Sequence, residues 1–341
     1  MARPKSPARA TIIDVAERAG VSTATVSRVI NQTGPVALET ISQVQAAIAE
    51  LNYRPHSAAR MLVNRKTNTL GLLLPEIGGN YFPLLLRGVE AEARAGGFGL
   101  LIYATQDIGT NVANSPQLLD EQNTDGLLVF TNSLSATALT RLNRMHFPVV
   151  LLHHPPPVGL DIPCVIVENK VSVRNIVNHL IEVHGYRRIA FLRGPEGNKE
   201  SGWREMGYRE SLAAHGIPFD PDLVATGGFD DQEAQRAVED WLRRKLDIEA
   251  IFAGNDDAAA GALTALQAAG KRVPGDIALV GFDDAHLSRY LTPPLTTVRV
   301  PIEQVGREAV RQLIQLIQTN RATPMVCLPT ELVIRRSCGC V

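Results

Sequence analysis

From Leu70 onward the chain alternates short, unbroken apolar runs with longer amphipathic ones, and this alternation limits the fold more than any other feature. The apolar runs read "LGLLLP", "GLLIYA", "GLLVF", "PVVLLH", "CVIVE", "RIAFL", "AIFAG" and "IALVGF". Strands that are apolar throughout are buried on both faces, as in parallel sheets covered by helices. Helical spacing fills the intervals at Pro83–Ala95, Val171–Val183, Ala234–Leu246 and Ala258–Ala269. The roughly 270 residues involved exceed what one such sheet needs, which predicts two doubly wound parallel-sheet lobes. A last helical stretch, Ile302–Gln318, and then "TELVIRR" predict that the chain recrosses between lobes near its end.

The front of the chain has a different texture. Apolar residues in 11–53 recur at helical spacing: Val15, Ala16 and Ala19, then Val26, Val29 and Ile30, then Val44, Ile48 and Leu51. In "TIIDVAERAGVSTATVSRVIN" a glycine splits two short helical patterns, and Ser22 stands where a helix cap is wanted. Thr23, Ala24, Ser27, Arg28 and Asn31 share one face of the second pattern, opposite Val26, Val29 and Ile30. Helix, glycine turn and a second helix with a small-polar face plus Arg form a helix-turn-helix signature. Hydroxyls and Asn reach phosphate oxygens, and Arg28 can grip guanine with two hydrogen bonds. A Ser/Thr-rich surface helix shares this periodicity, so spacing alone leaves both readings open.

Charge follows the same division. Residues 1–66 hold nine Lys/Arg against four Asp/Glu, while the remainder holds 25 against 31. A basic head on an acidic body implies that only the head meets a polyanion. Three of the four cysteines fall in the last fifteen residues, which is not a disulfide framework. "MARPKSPARA" has no apolar core after its basic residues, so it is not expected to be a secretory signal. No run approaches the ~20 apolar residues that span a bilayer, and a cytoplasmic location is expected.

"DVAERAGVSTATVSRVIN", followed by "AAIAELNYRPHSAARML", resembles the lactose-repressor/galactose-repressor (LacI/GalR) family of bacterial transcription regulators. The resemblance runs on through "HLIEVHGYRRIAFLRGP", "AIFAGNDDAAAGALTAL", "VPGDIALVGFDD" and "PPLTTVRVP", in the family's order and spacing. It implies an all-α helix-turn-helix head and an α/β body of the type I periplasmic-binding-protein kind. The implied boundaries are a basic arm at 1–9, the head at 10–55, a hinge helix and linker at 56–68, and the effector-binding and dimerisation domain at 69–341. Within the last, one lobe takes about 69–166 plus 299–326 and the other about 167–298 plus 327–341.

The resemblance also implies roles. Thr23, Ala24 and Arg28 would read bases, and Thr11, Ser22, Ser27, Asn31 and Thr40 would hold the DNA backbone. "HSAARML" would be a hinge helix, with Leu62, assisted by Ala59, wedged into the minor groove. A helix this short is unstable alone and is expected to fold only when paired on DNA. Tyr81, Phe82, Glu168, Arg204, Phe229, Asn255 and Asp283 would bind a small-molecule effector between the lobes.

Four departures from the family pattern stand out. Ala37 replaces the usual Ser or Thr cap of the third helix. "GNYF" replaces Asn-Pro-Phe-Phe, leaving Gly79 without a side chain, and Glu168 replaces an Asp. "GPEGNKESGW" has Asn198 and Glu200 where purine-binding members place Arg and Thr, which favours a sugar or sugar derivative.

Other signals are discounted. No G-x-G-x-x-G follows a strand, and the glycines and lysine of "GPEGNKES" have the wrong spacing for a phosphate loop. His153 and His154 are neighbours at a strand end, where exposure rather than metal binding is expected. His179 and His184, five apart, are expected on different sides of a helix. "SCGC" at Ser337–Cys340 suits a soft metal or a redox pair, but exposed tail cysteines are ordinarily plain thiols. No metal, no cofactor and no catalytic residue is therefore expected. The reading is a homodimeric, effector-controlled repressor of a near-palindromic operator; the family's tetramer-forming tail is not evident, and dimer against tetramer stays open. An exported ligand-binding receptor and a small-molecule α/β enzyme are the alternatives. The first needs a signal, and the second leaves the basic head unexplained.

Overall fold

The computed structural model describes residues 10–31, 33–53, 66–105 and 119–341. They fall into two compact units, divided after Thr67. The expected basic arm (1–9) and the hinge segment with Ala59 and Leu62 lie outside the described residues.

The first unit holds helices α1 (Ile12–Ala19), α2 (Thr23–Asn31) and α3 (Leu38–Glu50). Val15, Ala16, Val26, Val44, Ala47 and Tyr53 form its buried core, with Val29, Ile30, Ile48 and Leu51 packed around it. These are the positions that helical spacing points inward. Thr11 and Asp14 cap α1 reciprocally, the Thr11 N–H donating to Asp14 Oδ2 at 2.6 Å and the Asp14 N–H to Thr11 Oγ1 at 3.4 Å. Gly20 ends that helix at φ +67°, a left-handed conformation that suits glycine. Ser22 starts α2, its Oγ accepting the Thr25 N–H at 3.1 Å. Ala37, at the start of α3, offers no side-chain cap.

The second unit contains two parallel sheets. The first has strands β1 (Thr69–Leu74), β2 (Gly99–Ala104), β3 (Gly126–Phe130), β4 (Val149–Leu152), β5 (Cys164–Val167) and β11 (Met325–Leu328) in the order β11-β5-β4-β3-β1-β2. The second has β6 (Ile189–Arg193), β7 (Val224–Thr226), β8 (Ala250–Ala253) and β9 (Ala278–Val280) in the order β7-β6-β8-β9. Helices α4 (Phe82–Ala95), α5 (Ala136–Arg144) and α10 (Ile302–Thr319) belong with the first sheet; α6 (Lys170–Glu182), α7 (Lys199–Ala214), α8 (Asp231–Arg243) and α9 (Asp256–Ala268) belong with the second. The eight apolar runs are β1–β6, β8 and β9, and the doubly wound reading of the body holds.

The chain passes between the sheets three times. It leaves β5 for α6, returns through β10 (Thr297–Arg299) to α10, and leaves β11 through β12 (Glu331–Val333). The passages lie side by side: β10 and β12 pair antiparallel, and the Glu168 N–H donates to the Leu328 carbonyl at 3.0 Å. After β12 the tail docks on the second sheet, the Leu279 N–H donating to the Ser337 carbonyl at 2.9 Å and the Thr296 N–H to Ser337 Oγ at 2.8 Å.

Two expectations about histidines are corrected. His153 is buried, because β4 is covered on both faces and the next residue continues into the interior. His179 and His184 do not point apart: α6 ends at Glu182, so His184 lies beyond the helix and its Nε2 returns to 3.3 Å from His179 Nε2. Cys338 is also buried rather than an exposed tail residue.

Substituting Ala37 by Ser supplies the missing acceptor at the start of α3, worth about 1 kcal/mol. Thermal melts of residues 1–67 should show an upward shift for Ala37→Ser; an unchanged or lower melting temperature would refute the capping argument.

Candidate functional sites

The outward face of α2 presents Thr23, Ala24 and Arg28 to solvent. Ser27 and Asn31 are half-buried and joined, Asn31 Nδ2 donating to Ser27 Oγ at 3.2 Å. Thr40 is half-buried in the first turn of α3. Thr11 and Ser22 are held by their own helix starts, as described, which leaves Arg28 the longest side-chain donor exposed on this face among the described residues.

In the body, the ends of the strands create the second site. Strand order reverses direction between β1 and β3 in one sheet and between β6 and β8 in the other. Ligands of open α/β sheets sit at such points, beyond the carboxyl ends. A cavity of about 840 Å³ lies there, lined from the first sheet by Glu76, Tyr81, Phe82 and Phe130–Asn132. Asn198, Glu200, Arg204, Phe229, Asp230, Asn255, Asp257 and Asp283 line it from the second.

Six of the seven expected effector residues meet here: Tyr81, Phe82, Arg204, Phe229, Asn255 and Asp283. Glu168 does not line the cavity. Its Oε1 accepts the Val171 N–H at 2.8 Å, so this longer replacement for Asp serves the start of α6 instead.

The aromatic wall is built edge to face, with Phe130 at 6.1 Å from Tyr81 and 5.2 Å from Phe82. On the opposite wall the Phe229 ring occupies the space above Gly194, where an added Cβ would lie 2.2 Å from the ring. That contact explains the glycine of "LRGP".

A chain of polar groups runs between the sheets. Tyr81 Oη contacts His153 Nε2, and His153 Nδ1 lies 2.9 Å from Glu200 Oε1. Burial holds the Tyr81 phenol well above its ordinary pKa. The His153 Nδ1–H donates to the ionised Glu200 carboxylate. Asn169 Nδ2 donates to the same carboxylate oxygen at 3.0 Å. Burial pushes the Glu200 carboxyl up, but His153, Arg204 and Asn169 together outweigh it and hold it below the usual carboxylate range. Arg204 donates through Nε to Asn169 Oδ1 at 2.8 Å and through Nη1 to the Gly254 carbonyl, over the Phe282 ring at 3.8 Å.

Asn80, beside Gly79, donates from its amide to Asp257 of α9 and so joins the two walls. Asn255 caps α9, its Oδ1 accepting the Ala258 N–H at 2.9 Å while its amide donates to the Phe229 carbonyl at 3.1 Å. Asp283 differs: no hydrogen bond to its carboxylate is made among the described residues. Burial lifts it to about 7, with Arg204 opposing and Glu200 and Asp257 reinforcing.

Sequence reasoning overlooked His153, Asn169, Asp257, Asn80 and the structural part of Glu200. Asp257 alone had a readable signal, as the second Asp of "GNDD" at a helix start.

Comparison with known proteins points to one family. Residues 11–56 match the lacI family of bacterial regulatory proteins, and residues 177–338 match a periplasmic binding protein-like domain. The ribose operon repressor of Halalkalibacterium halodurans is 37% identical over 328 residues, 96% of each chain. The HTH-type transcriptional repressor PurR of Haemophilus influenzae is 32% identical over 334 residues, 96% of this chain and 98% of that one. Among solved structures, the regulator CelR in complex with cellobiose is 33% identical with a TM-score of 0.72, covering 96% of this chain and all of that one. The lac repressor dimer bound to operator and the anti-inducer ONPF is 28% identical with a TM-score of 0.83, covering 97% and 99%.

The raised Asp283 has a thermodynamic consequence. Between its ordinary value of 3.8 and about 7 the folded chain holds a proton that the unfolded chain releases, so stability falls as pH rises across that window. Asp283→Asn removes the ionised form. Its melting temperature relative to wild type should therefore be more favourable at about pH 8 than at about pH 5, and a constant difference would contradict the assignment.

Proposed function

This chain belongs to the LacI family of bacterial regulatory proteins, and from that membership we propose a repressor whose grip on its operator is set by a carbohydrate in the cleft between the sheets. It is a DNA-binding transcription regulator under small-molecule control. The carbohydrate reading rests above all on the charge of the lining. Glu76, Glu200, Asp230, Glu233 and Asp257 outnumber Arg204, the one cation among the described lining residues, and two of its donor nitrogens are already bonded. Such a wall repels phosphates and carboxylates. It welcomes a neutral molecule rich in hydroxyl donors, and the rings of Tyr81, Phe82, Phe130 and Phe229 offer faces to its C–H surface.

The relatives' names mention ribose and cellobiose. Asn198 and Glu200 at the start of α7 support the sugar over the purine. The relatives are regulators, which supports a role without catalysis and an intracellular one at DNA. No helix among the described residues is long and apolar enough to cross a membrane. Two chains would pair about a two-fold axis, as in the lac repressor dimer, and meet a near-palindromic site. The effector acts only through unequal affinity for two arrangements of the sheets.

Thr23, Ala24 and Arg28 would read bases while Leu62 and Ala59 would open the operator centre. Arg28→Ala should lose about 1–3 kcal/mol of discrimination at one base pair, measured by salt-controlled binding to specific and random duplexes. Leu62→Ala should lose affinity for the specific duplex more than for the random one; equal losses would exclude the wedge. A melting screen against pentoses, hexoses, cellobiose and nucleosides tests the effector. A ligand at about 100 times its Kd adds about 2.7 kcal/mol, and a response confined to nucleosides would overturn the carbohydrate reading.

A further inference from the structure

Away from the cleft, four ligating side chains converge where α6 ends against the tail. His179 stands on the last turn of α6, His184 in the turn beyond it, and Cys338 and Cys340 flank Gly339. One donor atom from each lies within 4.8 Å of all the others. His179 Nε2 and His184 Nε2 are 3.3 Å apart, and Cys340 Sγ is 3.5 Å from the first and 3.4 Å from the second.

Hydrogen bonds do not account for this triangle. The Nε2 of a neutral imidazole offers either a proton or a lone pair. Once one ring donates to the other, its nitrogen has nothing left for the thiol, so three two-centre bonds cannot coexist. A central cation satisfies all three contacts at once. Tetrahedral zinc, with Zn–N of about 2.0–2.1 Å and Zn–S of about 2.3 Å, sets its ligands about 3.3 Å apart for N and N and about 3.6 Å for N and S. The three separations of the His179, His184 and Cys340 triangle match those values.

The surroundings are those of ligands held in place. Cys338 Sγ accepts from Thr296 Oγ1 at 3.1 Å and lies 3.5 Å from the Arg335 carbonyl, so its position is fixed from two sides. Tyr186 stacks on the His184 ring at 5.5 Å and donates its hydroxyl to the Cys338 carbonyl at 3.4 Å. Gly339 has φ +109°, a backbone that lets both neighbouring cysteines turn to the same point, and an added Cβ there would lie 3.2 Å from His184 Nδ1.

We propose that His179, His184, Cys338 and Cys340 form a structural zinc site that clamps the end of the chain to the end of α6. Four protein ligands close the coordination sphere, which marks a structural rather than a catalytic ion. Binding displaces one proton from each thiol to the solvent, while both imidazoles bind as neutral ligands through Nε2. The clamp would hold the Ser337 strand contacts on the second sheet, next to the passages β10 and β12.

The reduced, chelator-treated full-length protein is titrated with cobalt(II) chloride. The expected result is the visible spectrum of tetrahedral cobalt with thiolate charge-transfer bands, saturating at one ion per chain and bleached by an equivalent of zinc chloride. Cys340→Ser and His184→Gln should each abolish that spectrum, while their melting temperatures in chelator stay at the wild-type value and no longer rise with zinc. A wild-type protein that gives no tetrahedral cobalt spectrum overturns the proposal without recourse to a variant. So does a spectrum that both variants retain.

Discussion

Arg204 is withdrawn from water into the space between two sheets, and a cation there has to be matched group by group. Asn169 and the Gly254 carbonyl take two of its nitrogens, Phe282 takes its face, and the buried Glu200 supplies the countercharge at 3.9 Å. Glu200 in turn depends on His153, and His153 on Tyr81. The network therefore starts on α7, passes the first crossover at Asn169 and ends on the aromatic wall of the other sheet. Each group is ordered by the next, so the cleft is shaped before any ligand arrives. Replacing Arg204 or Glu200 alone by a neutral residue would strand the other charge in low dielectric, a loss that typically exceeds that of one surface ion pair.

Much of the fold was legible because its strands are apolar on both faces, a pattern that leaves few alternatives. The second sheet's helix α7 was not legible. Its buried positions include Glu200, Ser201, Arg204 and Ser211, so the side that faces inward reads as polar. Those residues are inward for the sake of the cleft, and function has overwritten the periodicity. Strands β7, "VAT", and β10, "TVR", were missed for a plainer reason, since polar residues break up any apolar run there.

The candidate site divides in the same way. Residues in conspicuous motifs, such as Asn255 in "GND" and Asp283 in "GFDD", were visible through the family resemblance. His153 was not, because its burial depends on β5 and α7 closing over the end of β4, far along the chain. His179 and His184 show the opposite hazard. Helical arithmetic holds only inside a helix, and one boundary at Glu182 turns two rings that it sets apart into neighbours.

The three passages between sheets lie as neighbours, with the β5–α6 passage bonded to the β11–β12 one and the latter laddered to β10. A bundle of parallel straps resists stretching and shearing but still flexes about an axis across it. Opening or closing of this body would then follow one soft coordinate, and a molecule wedged between the sheets would report its size as an angle.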